Sequence, residues 1–155
     1  MYLQYISNAS ATVYGDNVYL VGGYGQCGMP TRIVLCSSLS ALLQSQTMVA
    51  QKSLPPVENH QVWNMTTDLP VKRSTCVTLN GQVLAIGGSS PCLTSDIGSV
   101  YIYNTAANSW EVISHMPTSR SFCLVALLPG NKLMVVGGRQ SSYETDTVQI
   151  ATAVE

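Results

Sequence analysis

Short apolar runs separated by polar turns fill most of this chain, and three of the runs end at a pair of glycines. The runs are Asn17–Val21, Gln82–Ile86 and Lys132–Val136, and the pairs that follow them are Gly22 and Gly23, Gly87 and Gly88, and Gly137 and Gly138. Runs of this length are too short for helices, and paired glycines suit positions with unusual backbone angles or close backbone approach. The pattern predicts three equivalent buried strands.

Other residues repeat as well, at a spacing of 47 positions. The pairs are Trp63 and Trp110, Pro70 and Pro117, Arg73 and Arg120, Ser74 and Ser121, and Cys76 and Cys123. The best preserved copy predicts four strands, at 74–79, 82–86, 99–103 and 110–114. The dipeptides Asn80-Gly81 and Gly130-Asn131 are typical of tight hairpin turns between the first two strands of a unit.

This unit resembles the kelch motif, which builds one blade of a β-propeller. The resemblance rests on the glycine pair that ends the second strand, Tyr101 and Tyr103 in the third strand, Trp110 at the start of the fourth, and then Pro117 and Arg120. It covers about residues 6–154 and implies an all-β fold, a kelch-type propeller segment of about three four-stranded blades in an incomplete ring. Residues 36–45 further resemble kelch-repeat proteins of early-branching animals.

Blade boundaries follow from the same comparison. Residues 1–8 are expected to end a preceding blade, 9–70 to form a blade with an insertion near 43–60, 74–117 to form the next, and 121–155 to form a blade that lacks its last strand. Leu39, Leu42 and Leu43 are alternatively compatible with one helical turn. Because an incomplete ring leaves strand edges open, we expect either the remaining blades of a longer chain or self-association.

Composition narrows the possible partners and compartment. Apolar residues make up 46% of the chain and charged residues 10%, with a net charge of -1, so nothing indicates nucleic-acid or membrane binding. No apolar run approaches the roughly 18 residues that span a bilayer. The five cysteines show no Cys-x-x-Cys spacing, which favours reduced thiols and a cytoplasmic location.

Catalytic chemistry has little support. Residues 23–28 match the Gly-x-Gly-x-x-Gly pattern of dinucleotide sites, but that pattern needs a helix directly afterwards, and residues 29–34 read as extended. His60 and His115 supply no cluster of metal ligands, and the acidic residues are dispersed. We therefore expect no catalytic residues, no metal and no cofactor.

The resemblance points to the loops as the binding surface. In kelch blades the loop after the second strand and the loop that enters the next blade lie on one face, where partner peptides bind. The matching positions are Arg73, Ser74, Arg120, Ser121, Tyr24, Gln26, Ser89, Ser90, Arg139 and Gln140. Arginine and serine suit an acidic partner. Alternatively, Arg73 and Arg120 tie adjacent blades together, and Asn8-Ala9 replace Arg-Ser in the earliest blade.

The resemblance implies a non-catalytic protein-interaction module that binds a protein or peptide. Substrate recognition for a cullin-ubiquitin ligase adaptor is one such role in the family. An actin-binding kelch protein is the alternative, and a fragment of a kelch-type enzyme such as a copper oxidase is the second alternative.

Overall fold

The structure is a computed structural model that describes residues 8–25, 29–41, 64–72, 74–90, 92, 95–141 and 143–152. Within those ranges the chain forms thirteen strands, and every strand pairing is antiparallel. Three successive sheets follow one another along the chain, each opening with a hairpin. The described residues form no closed ring, so the all-β prediction of a partial propeller is confirmed.

The first sheet contains four strands in chain order. They are β1 (Ser10–Tyr14), β2 (Asn17–Val21), β3 (Val34–Ser38) and β4 (Asn64–Met65). Residues 39–41 form a short helical segment directly after β3. The Ser38 hydroxyl accepts a hydrogen bond from the Ala41 amide at 3.1 Å, as an N-cap residue does. The helical alternative is thereby confirmed for Leu39. Leu42, Leu43, Trp63 and most of the insertion lie outside the described residues.

The second sheet repeats this order and follows the sequence prediction closely. Its strands are β5 (Thr75–Leu79), β6 (Gln82–Ile86), β7 (Ser99–Asn104) and β8 (Ser109–His115). Asn80 and Gly81 join β5 to β6 with φ angles of +49° and +69°. Positive φ at both central residues is the hairpin geometry that the Asn-Gly dipeptide predicts.

The third sheet has three strands in the order β9-β10-β13 among the described residues, with a separate small hairpin beside it. The strands in chain order are β9 (Leu124–Leu128), β10 (Lys132–Val136), β11 (Arg139–Gln140), β12 (Tyr143–Glu144) and β13 (Val148–Thr152). The turn from β9 to β10 spans residues 129–131, one residue more than the turn from β5 to β6.

All six glycines of the three pairs have positive φ, as the sequence predicts. In the second pair, the Gly88 amide donates to the Arg120 carbonyl at 2.9 Å, which belongs to the loop entering the third sheet. A Cβ atom at Gly88 would stand 2.5 Å from the Lys72 carbonyl oxygen. The glycine pair therefore lets backbone from two neighbouring units meet at one point.

Two apolar clusters join the sheets face to face. The first lies between the first and second sheets and contains Tyr19, Val21, Ala85, Tyr101 and Tyr103, with Trp110 packed against it. The rings of Tyr103 and Trp110 are 4.9 Å apart. Trp110 and the two tyrosines therefore contribute to the packing between the first and second sheets.

The second cluster lies between the second and third sheets, where Leu84 and Ile86 of β6 meet Leu133 and Val135 of β10. Consecutive residues of β6 therefore face opposite neighbours, as alternation along a strand requires. The first strands of the sheets lie side by side, β1 against β5 and β5 against β9. Thr12 of β1 and Thr78 of β5 share a hydrogen bond of 2.8 Å.

Residues 29–38 contain no helix, so the dinucleotide interpretation of residues 23–28 has no support in this described stretch. The Thr31 amide instead donates to the Gly23 carbonyl at 2.8 Å and begins an extended segment. No helix in the described ranges is long and apolar enough to cross a bilayer.

Candidate functional site

The loops after the glycine pairs and the loops that enter the next sheet meet at one end of the molecule. Lys72 and Ser89 exchange two backbone hydrogen bonds, of 2.9 and 2.7 Å, and Ser121 and Arg139 do the same at 3.0 and 2.7 Å. These bridges fix the entering loop beside the post-glycine loop in two successive units. This arrangement is the one that the predicted binding face requires.

A cleft of about 220 Å³ opens at this end, between the starts of the three first strands. Its described walls come from all three sheets: Asn8, Ala9, Ser10, Gly23, Tyr24, Ser74, Thr75, Phe122, Cys123 and Leu124. Two predicted binding residues, Tyr24 and Ser74, are among them. The cleft is therefore a place where side chains of the three described units come together.

Phe122 was missed by the sequence interpretation although it forms one wall of this cleft. Its ring lies near that of Tyr24, with centroids 6.3 Å apart and planes only 12° from parallel. Tyr24 follows the first glycine pair, whereas Phe122 precedes the third sheet. Two aromatic rings from different units thus flank the cleft.

Arg120 does not belong to the accessible surface. Its side chain is fully buried, Nη1 donates to the carbonyls of Gly137 and Thr147 at 3.0 and 3.1 Å, and Nη2 donates to the Thr147 hydroxyl at 3.0 Å. Because its own carbonyl accepts from Gly88 of the second sheet, Arg120 links the second and third units. The partner-binding role considered for Arg120 is corrected accordingly, in favour of the blade tie.

The presumed equivalence of Arg73 and Arg120 is also corrected. The Leu69 amide donates to the Arg32 carbonyl, and the Met116 amide, 47 positions later, donates to the Gly98 carbonyl, each acceptor lying just ahead of the third strand of its sheet. Lys72 and Ser121, 49 positions apart, make the same bridge to the residue after the glycine pair. The loop that enters the third sheet is therefore two residues longer, and Phe122 occupies the register position of Arg73.

The remaining predicted residues divide by exposure. Ser89 and Ser121 are buried, each 2% exposed, so the accessible role expected for them is corrected too. The backbones of Ser89 and Ser121 form the two bridges described above, and this pairing of loops encloses their side chains. Ser90 and Arg139 are half-buried and Gln140 is exposed. Arg73 and Gln26 lie outside the described residues, so their part in binding stays a prediction.

Two thiols near the cleft are enclosed. Burial raises the pKa of Cys76 to about 11 from its ordinary value of 9.0, against a smaller lowering by a hydrogen bond with Ser10. Burial also raises the pKa of Cys123, which lines the cleft. Both thiols are protonated at neutral pH and are poor nucleophiles.

A larger cavity of about 560 Å³ lies at the opposite end, beside the turn of Asn80 and Gly81. Its walls are mostly turn residues and the ends of strands, including Tyr14, Tyr103 and Glu111. The Tyr103 hydroxyl is already engaged by Asn108 at 2.7 Å. Within the described ranges, no group of three His, Cys, Asp or Glu side chains is placed to hold a metal ion.

Comparison with known proteins agrees with this geometry. Residues 70–117 match the family model described as Kelch motif. These residues therefore carry a kelch motif. The match includes the whole second sheet, with its glycine pair and Trp110, which is the unit that the sequence preserves best.

Two known proteins are similar to this chain. Kelch domain-containing protein 8B of Mus musculus is 40% identical over 63 residues, which are 39% of this chain and 17% of that protein. The solved structure of YjhT superposes with a TM-score of 0.67 at 14% identity and covers 98% of this chain and 44% of YjhT. The chain thus spans less than half the length of YjhT, with which it shares the fold.

Proposed function

We propose that this kelch chain is a non-catalytic protein-interaction module that binds a protein or peptide partner at the end of the molecule where the glycine-pair loops meet. The observation that carries the proposal is the cleft to which all three sheets contribute side chains. Kelch repeats indicate a propeller of the protein-binding kind. A shared cleft favours one ligand that contacts several units together over separate contacts with single loops.

A hydrogen bond between neighbouring loops also supports this end of the molecule as the binding surface. The Ser141 amide, in the post-glycine loop of the third unit, donates to the carboxylate of Asp96 at 2.7 Å, in the corresponding loop of the second. Such ties hold neighbouring loops in fixed relative positions. A rigid scaffold that presents loops is typical of binding surfaces, because less conformational entropy is lost when a partner docks.

A photo-crosslinking experiment tests the position of the surface. A benzoylphenylalanine is introduced at Gln140, exposed at the cleft end, or at Asn131, exposed in the turn at the opposite end of the same unit. We expect discrete protein adducts in cells of the source organism from position 140 and few from position 131. Equal adducts from both positions, or none from position 140, would contradict the proposal.

Within this class, the specific role that we place first is substrate recognition for a cullin-ubiquitin ligase adaptor in the cytoplasm. The support is the family resemblance together with Cys36, Cys76, Cys92 and Cys123, which are all free thiols. Co-purification of a cullin through a BTB domain encoded in the same reading frame tests this role. Co-sedimentation with filamentous actin, without a cullin, would favour the cytoskeletal alternative instead.

A further inference from the structure

We propose that the cleft lined by Tyr24 and Phe122 binds a flat, uncharged aromatic side chain, tryptophan above all, of an extended partner peptide. This inference rests on the proposed function and names the chemistry of the residue that the cleft takes. Arg120, one of the two arginines that suggested an acidic partner, is buried and is not part of the cleft lining.

The backbone of Phe122 is held in a conformation that a bulky residue seldom adopts. Its φ angle is +57°, and Asn8, which also stands two residues before its first strand, has a φ of +55°. Asparagine tolerates this left-handed region, whereas a bulky phenylalanine is strained in it. A ring retained at such a cost, 39% exposed and beside a cleft, points to binding rather than to folding.

The two rings are arranged to contact a third planar group. Their planes differ by 12° and their centroids are 6.3 Å apart, so the two rings stack on each other and a third ring can add only on an outer face of the pair. Planar rings stack on such surfaces with offset geometry, and the contact adds stabilisation beyond the area that it buries. A branched aliphatic side chain gains burial here but no stacking.

The described lining of the cleft is uncharged. Besides the aromatic rings it carries the hydroxyl of Ser74 and the amide of Asn8, together with the hydroxyls of Ser10 and Thr75, which are already hydrogen-bonded to each other. The Ser74 hydroxyl oxygen is buried and forms no hydrogen bond within the described part of the chain. Hydroxyls and amides pair well with the backbone of an extended peptide, and an uncharged lining penalises a buried carboxylate.

The test uses neutral Gly-Ser peptides that are identical except for the central residue, which is Trp, Pro, Leu or Glu. Binding is followed by backbone amide shifts in the NMR spectrum of the whole chain. We expect the Trp peptide to bind about tenfold more tightly than the Pro and Glu peptides and to shift the amides of Tyr24, Ser74 and Cys123. Leu binding equal to Trp binding, or tightest binding by Glu, would overturn the inference.

Phe122→Asn separates binding from folding. Because asparagine occupies the equivalent position at Asn8, the variant keeps the left-handed backbone, so the denaturant midpoint should not fall while Trp-peptide affinity drops about tenfold. Tyr143→Asn, which removes an aromatic ring that is 78% exposed and outside the cleft lining, is the matched control and should bind like the parent chain. Equal losses of affinity in both variants, or a lower midpoint for Phe122→Asn with unchanged affinity, would refute the inference.

Failure of this inference is distinguishable from failure of the proposed function. Crosslinked adducts at position 140 that persist in Phe122→Asn would leave the interaction module in place and remove the ring-binding cleft. If the parent chain itself gave no adducts at position 140, the proposed function would be contradicted.

Discussion

Arg120 shows how one side chain couples two units of the fold. Its guanidinium is enclosed and donates three hydrogen bonds within the third unit, while its carbonyl accepts one from Gly88 of the second. A buried cation is tolerated only when such bonds replace the water that it loses. The arginine is therefore part of the scaffold that holds the loops, and it contributes to binding through their position.

Replacing Arg120 with alanine should destabilise the chain by about 3 kcal/mol or more, because the fully buried side chain leaves a cavity and its three hydrogen bonds to Gly137 and Thr147 are lost. Chemical denaturation measures the free energy of unfolding. Arg32→Ala is the matched control: this arginine is 40% exposed and pairs with Asp68 at 3.7 Å, so its loss should cost less than about 1 kcal/mol. Similar costs for both variants would contradict the scaffold role of Arg120.

Stability should fall in alkaline solution because of Cys76. Its thiol has a pKa of about 11 in the folded chain against an ordinary 9.0, so only the unfolded state loses the proton as the pH passes 9. The free energy of unfolding should be flat below pH 9 and then decline up to pH 11, by at most about 1.4 kcal/mol per unit from this group.

Urea unfolding at a series of pH values checks this decline. Cys76→Ala should show a shallower slope between pH 9 and 11, while Cys92→Ala, at an exposed position, should keep the slope of the parent. Burial raises the pKa of Tyr19 from 10.0 to about 12. Because both variants keep Tyr19, the free energy of unfolding should decline further above pH 10 in each of them. A slope that Cys76→Ala leaves unchanged would show that this thiol does not carry the effect.

At the scale of elements, the glycine pair joins the end of one strand to the backbone of the next unit. Gly87 has a φ of +62° and lies so close to the Arg120 carbonyl that no side chain fits between them. The pair therefore carries two constraints at once, a left-handed backbone and a close approach. The second constraint is what couples the units, and it sets these glycines apart from those of ordinary turns.

Gly87→Ala and Gly15→Ala separate the two constraints. Gly15 has nearly the same φ, +58°, but a Cβ there would meet nothing within 4 Å. We expect Gly15→Ala to cost about 1 kcal/mol, from backbone strain alone, and Gly87→Ala to cost several times more. Thermal unfolding of both variants measures the difference. Equal costs would show that the approach of Arg120 is not a real constraint.

The strands of the second sheet were predictable because turn residues bound each apolar run. Asn80 and Gly81 fix the hairpin, and a polar segment separates β7 from β8. The register of the loops was not predictable from the spacing of residue types. Two extra residues after Pro117 displace Arg120 from the position of Arg73, and no sequence feature reveals which carbonyls its side chain reaches.

The place of Phe122 in the cleft was also beyond the sequence. Phenylalanine between serine and cysteine suggests the beginning of a strand, and only the observed backbone shows it turned toward Tyr24. Loop residues of this kind depend on contacts between distant units, here the first and the third. Local patterns describe single units and so could not supply them.

At the scale of the whole molecule, one face of the third sheet is apolar and open. Leu124, Val148 and Ile150 lie on the same face by strand register and are 73%, 53% and 60% exposed. The opposite face packs on the second sheet. An exposed apolar face of this kind marks a surface that another chain or another blade covers.

We expect the purified chain to self-associate through this face, with sedimentation velocity showing a mass that rises with protein concentration. Ile150→Lys should reduce the association and change the free energy of unfolding by less than about 1 kcal/mol, since its side chain is mostly exposed. Val112→Lys, at a position 50% exposed on β8, is the control and should associate like the parent. A parent chain that stays monomeric at high concentration would contradict this prediction.

The two separate apolar clusters also set the order in which the fold opens. Among the described sheets, the second alone has a packed neighbour on each face, whereas the third is anchored on one face only. Fluctuations that detach β13 and β10 leave the cluster around Tyr101 intact, so amide protons of the third sheet should exchange with deuterium sooner than those of β6. The cleft would then lose its Phe122 wall while the remaining sheets stay folded, which makes local opening a route by which a bound partner is released.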